Sequence, residues 1–195
     1  LIETDRGLEY LALESFHDRV PAPRPVAMDA EGAELERPFF IMERIEGGTV
    51  VSPFTVMPYG AHARVVGEAF FDILGRIAGA DPADLPLAKA AETPAPGDCW
   101  RIAGDHCASV IEADEQHPQP IVRAAIRLLR RKPPPPPSAV RVVHGDYRGG
   151  NFLHAPDGRI LAVLDWEMVH LGDPLEDLAW AIDPLWNPCL LYTSD

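Results

Sequence analysis

The sequence predicts an α+β fold, on three observations. Residues 60–80 place Val66, Ala69, Phe70, Ile73, Leu74 and Ile77 at the i, i+3, i+4, i+7 spacing of an amphipathic helix. Three further stretches, Leu8–Phe16, Trp100–Ala113 and Pro120–Arg131, also read as helical. Against these stand two short apolar runs, Phe152–His154 and Arg159–Leu164, separated by Ala-Pro-Asp-Gly, the composition of a tight hairpin turn.

Taken in order, the first helix shows Leu8, Leu11, Ala12 and Phe16 at helical spacing, and Val-Pro-Ala-Pro-Arg-Pro ends it. Glu9 falls on its exposed or edge face. Pro38–Glu43 reads as a buried strand, broken by Arg44-Ile45-Glu46-Gly47-Gly48. Residues 81–97, rich in Pro, Ala and Asp, read as a loop. In the Pro120–Arg131 helix, Ile121, Ala125, Leu128 and Leu129 share one face, while Arg127, Arg130 and Arg131 complement the dipole at its end. Pro133–Pro137 force an extended connector. After the hairpin, Asp173, Pro174 and Glu176 have the order of a helix start: cap, first helical position, and acid three after the cap. Leu175, Leu178, Ala179 and Ile182 then predict an apolar face.

Composition narrows the functional classes. A chain of 195 residues is long enough for one or two domains with a real core. Its net charge of −13 argues against nucleic-acid or anionic-membrane partners, which need a basic surface. Cys99, Cys107 and Cys189 have no metal-type CxxC spacing, which suits reduced thiols. No apolar run reaches membrane-spanning length and no signal-peptide pattern opens the chain, so the expected setting is soluble and cytoplasmic.

The chemistry gathers between Val140 and Ala181. An apolar run, Ala139–Val143, leads into His144-Gly145-Asp146, and Arg148-Gly149-Gly150 delivers the chain to Asn151. A hairpin turning at Asp157 and Gly158 brings Asn151 and Asp165 opposite each other at its open end, within about one residue of register. Three oxygen-bearing side chains, Asp146, Asn151 and Asp165, therefore converge. Hard oxygen ligands without Cys suit magnesium, held by one or two protein ligands together with substrate phosphates. Asp146 is then free to act as a base.

These strings, HGDYRGGN and LDWE, resemble the catalytic core of protein-kinase-like enzymes, and specifically the aminoglycoside phosphotransferase family of small-molecule kinases. In the kinase pattern a catalytic Asp is followed five positions on by an Asn on magnesium, and a second metal-holding Asp follows a short hairpin; Asp146, Asn151 and Asp165 match in order and spacing. Gly145 replaces the protein-kinase Arg, and Trp166-Glu167 replaces Phe-Gly, which points away from protein kinases. GDYRxGN with LDWE and GDPLxDLAW is most similar to the subgroup found beside or fused to acyl-CoA dehydrogenases.

The resemblance implies a two-lobe fold, with a truncated N-lobe and hinge at residues 1–48 and a mostly helical C-lobe at 49–187. It implies ATP and Mg2+ as cofactors and a small-molecule hydroxyl as phosphoryl acceptor. Asp146 would orient or deprotonate that hydroxyl, and Asn151 and Asp165 would hold the metal. Glu9 would pair with a strand Lys on the nucleotide phosphates, and the backbone of Glu43, Arg44 and Ile45 would meet the adenine edge. His144 would support the loop or Asp165, and Asp177 would anchor the loop backbone. The only lysines, Lys89 and Lys132, do not lie in a strand ahead of Glu9, so both ends are expected to be cut and nucleotide binding to be weak; residues 188–195 read as a non-native tail. Two rivals stand beside this reading: a metal-dependent hydrolase using His144, Asp146, Asp165 and His170, and a non-catalytic kinase-like binding module.

Overall fold

A computed structural model describes residues 5–51, 59–114 and 117–184. The tail assigned to residues 188–195 lies outside these.

Helix α1 (Arg6–Phe16) starts where Asp5 accepts hydrogen bonds from the amides of Gly7 and Leu8, an N-cap that satisfies two otherwise unpaired donors. A two-stranded antiparallel sheet follows, β1 (Pro25–Asp29) against β2 (Phe39–Met42). The strand expected at Pro38–Glu43 is thus present but not buried: Ile41 is 50% and Met42 45% exposed, because among the described residues β2 pairs only with β1.

The second sheet has the order β3 (Thr49–Val50), β5 (Phe152–His154), β6 (Ile160–Val163), all antiparallel. Its β5–β6 pair is the expected hairpin, with Gly158 at φ +85°, a left-handed turn position that favours glycine. The third sheet pairs β4 (Arg141–Val143) with β7 (His170–Gly172).

The helices fall close to their expected positions: α2 (Ala63–Gly79), α3 (Cys99–Asp114), α4 (Pro120–Arg131) and α5 (Leu175–Ala181). Helix α2 buries Val66, Phe70, Ile73, Leu74 and Ile77, as its spacing requires. One continuous core joins Phe70, Ile73, Leu74 and Ile77 to Ala12, Leu13 and Phe16 of α1, to Tyr147 and Phe152, and to Val163 and Trp166 after the hairpin, while Val66 packs with Val51 and Tyr59 in a second, smaller cluster. The loop at 81–97, a series of short 3-10 turns, contributes Leu85 and Leu87. It is held on α1 by Ser15 Oγ, which accepts from the Leu87 amide at 3.1 Å.

Two predicted apolar faces are not buried. Helix α4 has no buried residue, with Ile121 83%, Leu128 58% and Leu129 43% exposed. It is tied to α3 through Arg130 to Asp105 at 2.8 Å and Arg123 to Glu112 at 3.8 Å, so the Arg at its end is an ion-pair partner as well as a dipole complement. In α5, Leu175, Leu178 and Ile182 are exposed, while the buried positions are Asp177 and Ala181. The reason is polar: α5 faces the loop after β4, whose amides need an acceptor.

Candidate active site

The site is built at the end of β4, where the chain leaves the sheet as His144-Gly145-Asp146. Gly145 sits at φ +88°, and a Cβ there would lie 2.5 Å from the Met168 carbonyl oxygen. Neither the backbone conformation nor the space admits a side chain, which explains glycine where protein kinases carry Arg. The turn exposes two consecutive amides, of His144 and Gly145, and Asp177 from α5 accepts both, at 2.6 and 3.0 Å. This is the anchoring role expected of Asp177. Burial raises its pKa to about 6, with the two amides and His170 pulling it back.

Helix α5 begins one residue later than expected, at Leu175 after Pro174, yet the bonds expected of its start are present. Asp173 Oδ1 accepts from the Leu175 amide at 3.0 Å, and Glu176 Oε1 accepts from the Asp173 amide at 3.2 Å, a reciprocal capping box.

His144 is fully buried. Its Nε2 donates to the Leu164 carbonyl at 3.0 Å, which leaves Nδ1 to accept the Asp146 amide at 3.3 Å. The ring therefore ties the catalytic loop to the strand end just before Asp165, and bonds the loop rather than Asp165 itself. Burial lowers its pKa to about 4, so it is neutral. Both nitrogens being engaged, His144 cannot ligate a metal. The same holds for His170, whose nitrogens face the Met168 carbonyl at 3.0 Å and Glu176 at 3.2 Å; burial opposes its charge, but these acceptors outweigh it and raise its pKa. Among the described residues no three His, Cys, Asp or Glu groups gather as a metal cage. The hydrolase arrangement with His144 and His170 as ligands is thereby set aside.

Asp146 lies at the centre, with its side chain 17% exposed. Arg148 Nε donates to both carboxylate oxygens at 3.0 Å. Asn151 Nδ2 donates to Asp146 Oδ2 at 2.7 Å and to its backbone oxygen at 2.9 Å. Trp180 Nε1 reaches across from α5 to Oδ1 at 2.7 Å. Because the Asn151 nitrogen is committed to Asp146, its Oδ1 is the atom left to serve as an acceptor.

The hairpin supplies the second oxygen donor. Its register, Phe152 opposite Val163, continues one step with the Leu164 amide donating to the Asn151 carbonyl at 2.8 Å, so Asp165 follows Asn151's direct partner by one residue, as expected. Asp165 is exposed, accepts no hydrogen bond from any described residue, and sits at φ +65°. A non-glycine residue held in the left-handed region costs free energy unless its surroundings impose it. Here Trp166 imposes it: fully buried, it stacks on Phe16 at 5.1 Å, packs against His144 at 4.6 Å, and satisfies its indole N–H on the Val163 carbonyl. With Trp166 fixed inward, Asp165 is turned outward.

Glu9 corrects the expectation of an exposed helix charge: it is 8% exposed. Its ion partner is Arg6 at 2.6 Å. Burial raises its pKa against Arg6, and Glu167 and Asp165 push in the same direction, which places α1 beside the hairpin exit. The Glu43 amide continues the sheet by donating to the Arg24 carbonyl at 2.8 Å. The backbones of Arg44 and Ile45 carry no hydrogen bond among the described residues. Asp146, Asn151, Asp165 and the supporting His144 and Asp177 therefore form one cluster, Glu9 borders it, and residues 43–45 follow the end of β2 with no backbone hydrogen bond to it among the described residues. Sequence reading missed the roles of Arg148 and Trp180. A signal for Trp180 was available, since it stands three residues after Asp177 on the same helix face.

The profile described as "Phosphotransferase enzyme family" (APH) matches residues 5–190. Acyl-CoA dehydrogenase family member 11 of Gallus gallus is 26% identical over 167 residues, 85% of this chain and 21% of that protein. A Ralstonia eutropha protein assigned as an aminoglycoside phosphotransferase superposes with a TM-score of 0.71 at 22% identity, over 91% of this chain and 54% of that one. A thermostable mutant of aminoglycoside phosphotransferase APH(4)-Ia, in ternary complex with ADP and hygromycin B, gives 0.64 at 21% identity, covering 91% and 60%. The chain thus spans about a fifth of the acyl-CoA dehydrogenase relative and little more than half of each phosphotransferase. The likenesses show a protein-kinase-like α+β fold.

Proposed function

Because the chain belongs to the phosphotransferase enzyme family APH, we propose that it carries the active site of an ATP-dependent phosphotransferase acting on a hydroxyl of a small molecule. The observation that carries this reading is Asp165: an exposed carboxylate at φ +65°, without a hydrogen-bond donor among the described residues, one register step from an amide whose nitrogen is committed to Asp146. Backbone strain of this kind clusters at catalytic and ligand-holding sites.

The donor set fits magnesium, since Asn151 Oδ1 and Asp165 offer hard oxygens and leave room for water and phosphate oxygens. Those two residues would hold the ion, which when bound offsets charge on the transferring phosphoryl group. Asp146 receives the acceptor's hydroxyl proton and orients its oxygen. That oxygen bonds to the γ-phosphorus as the bond from γ-phosphorus to the ADP oxygen breaks. His144 stays neutral and holds the Asp146 amide, and Asp177 holds the loop.

On the nucleotide side we assign Glu9, beside Asp165, to the phosphate end, and Glu43, Arg44 and Ile45 to the adenine edge, where the Arg44 and Ile45 backbones are open to a ligand. We assign residues 1–48 to the N-lobe and 49–187 to the C-lobe, a division supported by β3, just past that boundary, joining the hairpin's sheet. The acyl-CoA dehydrogenase relative favours a hydroxylated acyl compound as acceptor. Free thiols at Cys99 and Cys107 accord with a reducing cytoplasm, and the acidic surface with the absence of a nucleic-acid partner. No helix among the described residues is long and apolar enough to cross a membrane.

The test is calorimetric titration with ATP, with and without magnesium, followed by ADP release against a panel of hydroxyacyl compounds and aminoglycosides. Magnesium-dependent nucleotide binding and acceptor-dependent ADP release are expected. Nucleotide binding indifferent to magnesium and to Asp165→Ala would overturn the assignment.

A further inference from the structure

The oxygens of Asp146 are fully engaged before any acceptor arrives. An ionised carboxylate offers about four lone-pair directions, and three N–H donors give each oxygen two contacts: the single Arg148 Nε–H shared between both oxygens at 3.0 Å, Asn151 Nδ2 on Oδ2 at 2.7 Å, and Trp180 Nε1 on Oδ1 at 2.7 Å. A hydroxyl can give its proton to Asp146 only where one of these donors has left.

The three donors are not equivalent. Asn151 is buried and also bonds the Asp146 backbone oxygen. Arg148 is cationic and grips both oxygens from within the same loop, the stronger kind of hydrogen bond. Trp180 is neutral, reaches one oxygen, and is 37% exposed on another element. Its helix is nonetheless fixed, because Asp177, three residues earlier on the same face, clamps the His144 and Gly145 amides. The indole N–H is therefore delivered reproducibly to Oδ1, and as a neutral donor from outside the loop it is the one an arriving hydroxyl can replace without breaking a charged bond or the loop's own bonds.

Resting on the phosphotransfer reading above, we propose that Trp180 guards Asp146 against water. Its N–H occupies the place on Oδ1 that the acceptor hydroxyl takes, so a water molecule cannot be oriented there while the acceptor is absent. Unguarded, a water held on Oδ1 would pass a proton to Asp146 while its oxygen bonds to the γ-phosphorus. The bond from that phosphorus to the ADP oxygen would break, giving ADP and inorganic phosphate. An acceptor large enough to lie against the exposed indole displaces the N–H and takes the position; water is too small to hold the ring aside. The acceptor this favours is a hydroxyl flanked by apolar surface, since the displaced ring becomes one wall of its site.

The sign of the effect separates this role from a structural one. Trp180→Phe keeps the ring and deletes the donor. With MgATP as the sole added substrate, ADP release by W180F is expected to rise at least threefold over the unmodified protein, with MgATP affinity by calorimetry unchanged. The rise should vanish when Asp146→Asn is added. A second measurement follows the indole N–H signals by NMR: that of Trp180 should exchange with solvent at least tenfold faster in Asp146→Ala, whereas Trp166, bonded to Val163, should not change. ADP release by W180F at or below the unmodified rate, with MgATP bound, overturns the guard alone. So does rapid exchange of the Trp180 signal in the unmodified protein. Failure to bind MgATP at all removes the phosphotransfer reading, and this proposal with it.

Discussion

At the scale of single residues, the site separates into groups that touch the reacting atoms and groups that aim them. Asp146→Asn keeps shape and hydrogen-bonding capacity but removes the proton acceptor. Turnover should fall by about 10²–10⁴-fold while MgATP affinity stays constant, a loss confined to the transition state; steady-state kinetics beside calorimetry checks both. Asp165→Ala should behave differently, weakening MgATP binding together with turnover, with part of the loss recovered at higher magnesium. Gly145→Ala forces a Cβ against the Met168 carbonyl at positive φ; destabilisation of about 2 kcal/mol or more is expected, read as a lower denaturant midpoint. How much of this was legible beforehand differs by residue. Asp146, Asn151 and Asp165 could be read because a motif fixes spacing along the chain and the hairpin converts spacing into proximity. The burial of Glu9 could not, because it depends on what packs over α1 and not on the helix's own pattern.

At the scale of elements, the loop after β4 is held between two groups that titrate in opposite senses. His144 has a folded pKa of about 4, below its ordinary 6.5, so its contribution is complete above pH 6.5 and is lost as pH falls toward 4. Asp177 has a folded pKa of about 6, above its ordinary 3.8, so its contribution is complete below pH 3.8 and is lost as pH rises through 6. Between pH 4 and 6 the two contributions thus change in opposite directions and offset one another. The unmodified protein should therefore show a shallow pH dependence of thermal stability there. Asp177→Asn should leave His144 uncompensated, so that stability falls steeply as pH is lowered from 6.5 to 4; scanning calorimetry across that range decides it. Helices α1 to α4 were legible from 3.6-residue periodicity, α4 to the residue. Strands β3 and β7, two and three residues long, were not, because so short a run has no measurable alternation and exists only through its distant partner. The periodicity of α4 and α5 identified helices correctly but not burial, since a pattern shows which face is apolar and not what meets it.

At the scale of the whole molecule, the core does not stop at the helical region: Phe16 of α1 stacks on Trp166, and Trp166 in turn fixes the direction of Asp165. Phe16→Ala should cost about 3–5 kcal/mol of stability. Where the protein stays folded, it should also weaken MgATP binding, because the packing that turns Asp165 outward is relaxed; Phe16→Leu should retain more of both.

The pairing of β4 with β7 has a consequence for how the protein is assembled. These strands close a loop of chain whose two ends lie side by side, and Asp146, Asn151 and Asp165 all lie within it. Inside that loop the contacts that gather them, Asn151 on Asp146 and the Leu164 amide on the Asn151 carbonyl, are shorter in sequence than the β4–β7 pairing, so they can form before it. Hydrogen exchange should then show residues 141–172 opening and closing as one cooperative unit. Helix α5, which brings Asp177 and Trp180 from outside the closed loop, should exchange separately and dock last, so that the oxygen cluster exists in the folding chain before the residues that brace and cover it.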